Sequence, residues 1–252
     1  MALSPIEWIS GITATLILVV GYTCGLLLIL KYSRKAPNKD AKLQIILTGI
    51  VFICLFSAWL SVATSFLSLL FGGPALDRIG AIYIYSWGPP VGVVLWTYLV
   101  TKLSDRKQVK IIMRCIAVVV GVLFFIIIYA SPLTYSSYTQ DPITNPLPDT
   151  SYTGLALYLL AVMILIALIY IGPAYLRNGM KSEDRIIKAR GISMGIGAIV
   201  FAVSAIIDAA SKTITEVPLA IIRLIILLSI LLIYFGVSLP KFYKKIWKIP
   251  VG

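Results

Sequence analysis

Seven apolar stretches, each long enough to cross a bilayer, take up most of this 252-residue chain. A transmembrane helix needs about 20 predominantly apolar residues, because the hydrocarbon core is about 30 Å thick. Within that core every backbone N–H and C=O must find its partner inside the protein, which a helix provides and an exposed loop does not. The pattern predicts spans over residues 6–30, 43–71, 79–101, 111–130, 152–176, 191–211 and 218–239. No connection is long enough to fold as a separate soluble domain, so the expected architecture is all-α: a single seven-transmembrane helix bundle over residues 1–252. Composition agrees, at 60% hydrophobic and 13% charged residues with a mean hydropathy of +0.98. Soluble domains run nearer half and a quarter.

The basic residues fall in alternate gaps. Lys31, Arg34, Lys35, Lys39 and Lys42 occupy the first gap, Lys102, Arg106, Lys107, Lys110 and Arg114 the third, and Arg177, Lys181, Arg185, Lys188 and Arg190 the fifth. Lys241, Lys244, Lys245 and Lys248 follow the last span, and only Arg78, Lys212 and Arg223 lie elsewhere. Cytoplasmic loops carry the excess of Lys and Arg, so the pattern predicts an outside N-terminus and a cytoplasmic C-terminus. The net charge of +12 is then an orientation signal with a secondary attraction for anionic lipid head groups. It implies the lipid bilayer, not nucleic acid, as partner, and a multi-pass protein of the cell membrane.

The chain contains no histidine, which removes the commonest metal ligand and the usual general base. Histidine-dependent intramembrane hydrolases are excluded, and neither catalytic activity, metal nor cofactor is expected. Cys24, Cys54 and Cys115 all lie within spans and read as small apolar packing residues, not as a disulfide framework. Residues 1–7 lack the basic start of a secretory signal peptide, so the first span is expected to remain as a helix.

Ionisable residues inside a bilayer are costly and mark function by default. Asp208, near the end of the sixth span, and Arg223, just inside the seventh, lie at similar depth and are predicted to pair across antiparallel helices. Lys212 and Glu216 are local competitors for the same charges. Tyr83 and Trp87 share a face of the third span at i and i+4, followed by Gly88, Pro89 and Pro90, where the helix is expected to loosen. Together Asp208, Arg223, Tyr83 and Trp87 define a candidate ligand-binding pocket opening outward. Residues 131–151, rich in proline and tyrosine and free of basic residues, form an outer segment without helical periodicity, either a lid or a spacer. The pairs Gly21/Gly25, Gly88/Gly92 and Gly191/Gly195 have the spacing that lets helices approach closely and are assigned to packing inside the bundle. After Lys241, aromatic and basic residues alternate as in an interfacial helix.

The segment ILKYSRKAPNKDAKLQIILTGIVFICLFSAWLSVATSF resembles the membrane sensor half of seven-helix histidine kinases. The shared features are a helix ending in tyrosine and basic residues, an Ala-Pro turn and a following helix that carries tryptophan. The chain has no histidine for phosphotransfer, so the resemblance implies a free-standing sensor module, and no functional residues carry over. Seven helices also invite microbial rhodopsins, but the last span, PLAIIRLIILLSILLIYFGVSL, has no lysine to carry retinal, and residues 79–101 have no carboxylate. Asp105 and Arg106 resemble the acidic-basic pair of eukaryotic seven-helix receptors, yet Lys107 follows and no Asn-Pro-x-x-Tyr occurs in the last span.

The expectation is therefore a receptor-like or sensory membrane protein whose cytoplasmic face meets a signalling partner. The alternative is a small-solute transporter built from a parallel three-plus-one-plus-three repeat, which predicts broken helices in both halves. Neither the ligand nor the oligomeric state follows from the sequence.

Overall fold

Helix α1, Pro5–Lys35, starts at a complete capping box. Ser4 Oγ accepts from the Glu7 amide, and Glu7 Oε2 accepts from the Ser4 amide at 2.7 Å, so donors that would face hydrocarbon unpaired are satisfied. Six more long helices follow: α2 (Lys39–Leu70), α3 (Arg78–Thr101), α4 (Lys107–Ala130), α5 (Gly154–Lys181), α6 (Arg185–Ala210) and α7 (Glu216–Ser238). A short α8, Lys241–Ile246, ends the fold. This computed structural model describes residues 3–104, 106–141, 145–210 and 216–250. Asp105, Pro142, Ser211 and Lys212 lie outside the described residues, as does the side chain of Glu216.

All seven long helices are apolar enough to cross a membrane. They extend beyond the predicted spans, chiefly at their basic ends. Lys31, Arg34 and Lys35 belong to α1, and the basic residues from Lys107 to Arg114 belong to α4. Lysine and arginine are good helix formers, and their long stems let the charge reach water while the backbone stays helical. The first basic connection therefore shrinks to residues 36–38, with Asn38 Oδ1 accepting from the Ala41 amide at 2.8 Å to start α2.

Each helix packs on the next in sequence, α7 closes on α1, and α3 also reaches α5. One end of the bundle carries the N-terminus, the α2/α3 turn, the last turn of α6 and the first of α7; the other carries the basic segments. The outer surface is as apolar as the core. On α4, Ala117, Gly121, Phe124 and Ile128 face inward, while Ile112, Ile116, Val119, Leu123 and Ile126 are exposed at the complementary helical spacing. A helix apolar all round requires either protein or lipid on every side, and the second face meets lipid.

Breaks in the helices are paired. Pro89 and Pro90 cannot continue the hydrogen-bond ladder, so α3 is interrupted at Trp87, between Arg78–Ser86 and Gly88–Thr101. Beside it α2 tightens into a single 3-10 turn, Ser57–Trp59. Gly88 lies directly on Ser57 and the Cys54 carbonyl, where a Cβ would collide with both. Helices α5 and α6 cross equally closely: a Cβ on Gly191 would stand 2.5 Å from Gly179 Cα, and one on Gly195 2.9 Å from the Gly172 carbonyl oxygen. These glycines are consumed inside the chain, as are Gly21 against Phe56 and Gly92 against Leu55. Wide π-helical turns occur at Leu28–Tyr32 in α1 and Ile166–Ile171 in α5, the second just before Pro173, which has no N–H to give to the ladder.

The segment between α4 and α5 carries regular structure on both sides of residues 142–144. After the one-turn helix Pro132–Tyr135, strands β1 (Ser136–Asp141) and β2 (Asn145–Tyr152) form an antiparallel hairpin with Ser136 opposite Tyr152. The tail also differs from the expected amphipathic arrangement. Tyr243 and Ile249 are buried against Ala189 and Leu239, whereas Phe242 and Ile246 are exposed. The aromatic rings of α8 thus divide between the bundle and its surroundings, with Tyr243 Oη bonded to Ser193 Oγ.

Candidate functional site

A cavity of about 360 Å³ lies inside the hairpin end of the bundle. Its depth follows from helix rise: from Tyr85 to Trp96 on α3 and from Leu157 to Ala167 on α5, the lining runs along roughly 15 Å. The mouth is polar, with Glu7 and Ser10 from α1, Asp208 from α6 and Arg223 from α7. Below it the walls are aromatic and aliphatic: Trp59, Tyr85, Trp96, Tyr152, Met163 and Phe201 are among them.

Arg223 organises the mouth. Its residue is 8% exposed, and its donors reach two other helices. Nε donates to Asp208 Oδ1 at 3.4 Å, while Nη1 donates to the Ser10 carbonyl at 2.7 Å, to Ser10 Oγ at 2.9 Å and to Thr13 Oγ1 at 3.2 Å. The guanidinium fork suits this role, since its donors diverge in one plane.

Glu7 links the mouth to the hairpin. Buried to 5% exposure, it accepts the Leu147 amide through Oε1 at 3.0 Å while Oε2 holds the cap of α1. One carboxylate therefore starts a helix and fastens strand β2 over the cavity. Tyr152, at the other end of β2, stacks on Tyr85 at 4.8 Å between ring centroids and donates to Ser86 Oγ at 3.2 Å.

Four residues were expected to share a pocket, and the structure brings two of them together. Asp208 and Arg223 line the cavity as an ion pair. Tyr83 and Trp87 do not line it. Tyr83 instead stacks on Tyr129 of α4 at 4.7 Å, and each hydroxyl donates to the other's carbonyl, at 3.5 and 3.2 Å. Tyr85 and Pro89, two positions further on, face the interior. Sequence reasoning passed over Glu7, although Ser4 followed three residues later by a glutamate ahead of an apolar run is a recognisable cap. No signal marked Leu147 or Tyr152, whose contacts depend on the hairpin. Among the described residues no group of three or more His, Cys, Asp or Glu is placed to hold a metal ion.

The cavity has a floor. Leu55, Trp96 and Phe201 close it, and beneath them Phe52, Phe56 and Ile233 leave only a void of about 10 Å³. The Phe56 and Phe201 rings meet edge to face at 5.7 Å, tying α2 to α6 across the centre.

Fold and site together define a multi-pass membrane protein, a seven-helix bundle with a polar-mouthed cavity at one end. Comparisons with protein-family models, with curated proteins and with solved structures find no match.

Proposed function

We propose that this chain is a receptor-like or sensory protein of the cell membrane that binds a small ligand in the cavity between Arg223 and Trp96. The hairpin end faces outward, the basic end lies in the cytoplasm, and the basic face meets a signalling partner there. The observation that carries the reading is the cavity itself. Its volume lies within the usual range for ligand sites of about 300–1,000 Å³, and it combines an apolar interior with a few converging polar groups. The segregated basic residues support the orientation.

Thermal unfolding of the detergent-purified chain in the presence of a small-molecule library tests this. Compounds that raise the melting temperature of the wild type should not raise that of Ala205→Phe, which fills the cavity from α6. Equal stabilisation of both proteins by every active compound would place binding elsewhere and refute the assignment.

A further inference from the structure

Two lining residues of the cavity reach the outer surface of the bundle. Of its lining residues only Leu157, at 43% exposure, and Ala209 are exposed at the surface of the bundle. One belongs to α5 and the other to α6, so both mark the same seam. The seam follows from how the two helices are joined. Gly172 and Gly179 of α5 lie against Gly191 and Gly195 of α6 at the basic end, where the backbones touch. Contacts thin out above the π-helical turn, and along Gly154–Leu165 the two helices barely meet. The neighbouring seams are packed: α6 lies along α7, α7 along α1, and α4 along the upper part of α5.

Around this seam the outer surface is apolar. Leu155, Tyr158, Val162, Ile206 and Ile207 are all exposed within a few residues of Leu157 and Ala209. A surface framed by such residues, in a helix pair apolar enough to span a membrane, suits contact with lipid chains. Behind it the chemistry is graded: Asp208 and Arg223 stand near the end of the helices, and Leu160, Met163, Ile164, Ala167 and Phe201 continue toward the centre.

We propose that the cavity is filled from within the bilayer, through the seam between α5 and α6, by a single-chain amphiphile. Its head group carries an acceptor oxygen that meets Arg223, and its apolar chain runs toward Trp96. This deepens the ligand-binding reading and rests on it. Two of the five tryptophans, Trp59 and Trp96, line the cavity, so a bromine-bearing chain inside it would quench their emission on contact.

The experiment uses the full chain with Trp8→Phe, Trp87→Phe and Trp247→Phe, in phosphatidylcholine nanodiscs, titrated with dibromostearic acid and with its monoacylglycerol. The expected result is saturable quenching that unbrominated stearic acid reverses. Arg223→Lys should weaken it by about tenfold, the loss of one charge-assisted hydrogen bond. Ala205→Phe should abolish the saturable component, and Ala209→Phe, at the seam, should slow its onset. Quenching that rises without saturation and is unchanged in Ala205→Phe reports collision in the bilayer and overturns the proposal. If neither probe quenches but water-soluble compounds stabilise the wild type and not Ala205→Phe, the amphiphile and its lateral entry are overturned while the ligand-binding cavity stands. If nothing binds in either assay, both fall.

Discussion

Arg223 Nη1 lies 2.7 Å from the carbonyl oxygen of Ser10, a contact between the seventh helix and the first across 213 positions of sequence. The same guanidinium holds Asp208 of α6, so three helices converge on one charge. In hydrocarbon such a charge is tolerated when its donors are occupied and a counter-charge is near. Replacing Arg223 by Leu removes the guanidinium that bonds Asp208 and the donor that reaches Thr13. We expect a loss of about 2–3 kcal/mol, the usual scale for hydrogen bonds to a charged group, read as a lower melting temperature in detergent. Side-chain accessibilities of 10% and 17% for the pair mean that solvent screening is limited. An unchanged melting temperature for Arg223→Leu would show that the pair holds nothing together.

Glu7 is expected to control the hairpin without controlling the bundle. Glu7→Gln removes the charge that accepts the Leu147 amide and weakens the cap of α1, at a cost of about 1 kcal/mol. Hydrogen exchange at Leu147 should accelerate, while amides in the centre of α3 and α6 keep their protection. Uniform loss of protection would mean that the hairpin and bundle unfold as one unit.

The α5/α6 crossing leaves no room for adjustment, since the atoms nearest a Cβ on Gly191 are backbone atoms of Gly179 and Tyr175. Gly191→Ala should destabilise by about 1–3 kcal/mol, the range for overpacking, and Gly191→Leu should prevent purification of a folded protein. Gly72→Ala makes a useful contrast. No atom lies within 4 Å of the added Cβ, but its φ of +78° is left-handed, so the cost is local to the α2/α3 turn. If Gly191→Ala were neutral, the helices would be shown to separate freely at this crossing.

The spans were legible because the bilayer imposes one requirement on every helix: enough apolar residues to cross it. Asp208 and Arg223 were legible for the converse reason, since charges among apolar residues need a partner. Helix ends were read too short, because lysine and arginine extend helices past the apolar segment, as at Lys31 and Lys107. The face of α3 was misread for a different reason. Tyr83 and Trp87 are four apart, but the interruption at Trp87 and the partner Tyr129 on α4 turn Tyr83 away from the cavity, and neither can be deduced from spacing. The hairpin escaped notice because the sequence from Ser136 to Tyr152, with its three prolines and few apolar residues, has no two-residue alternation; it is held by Glu7 and Tyr85, far away in sequence.

An outward-facing cavity stands or falls on which end of the bundle meets the cell exterior. Cys24, Cys54 and Cys115 are the only native thiols, and replacing them with alanine frees the chain for single probes. Thr134→Cys, beside the hairpin, and Glu183→Cys, in the basic connection between α5 and α6, are exposed positions at opposite ends. In intact cells a membrane-impermeant maleimide should label Thr134→Cys, and should label Glu183→Cys only after the membrane is permeabilised. Labelling of Glu183→Cys in intact cells, with Thr134→Cys protected, would put the cavity end in the cytoplasm and contradict the receptor reading directly.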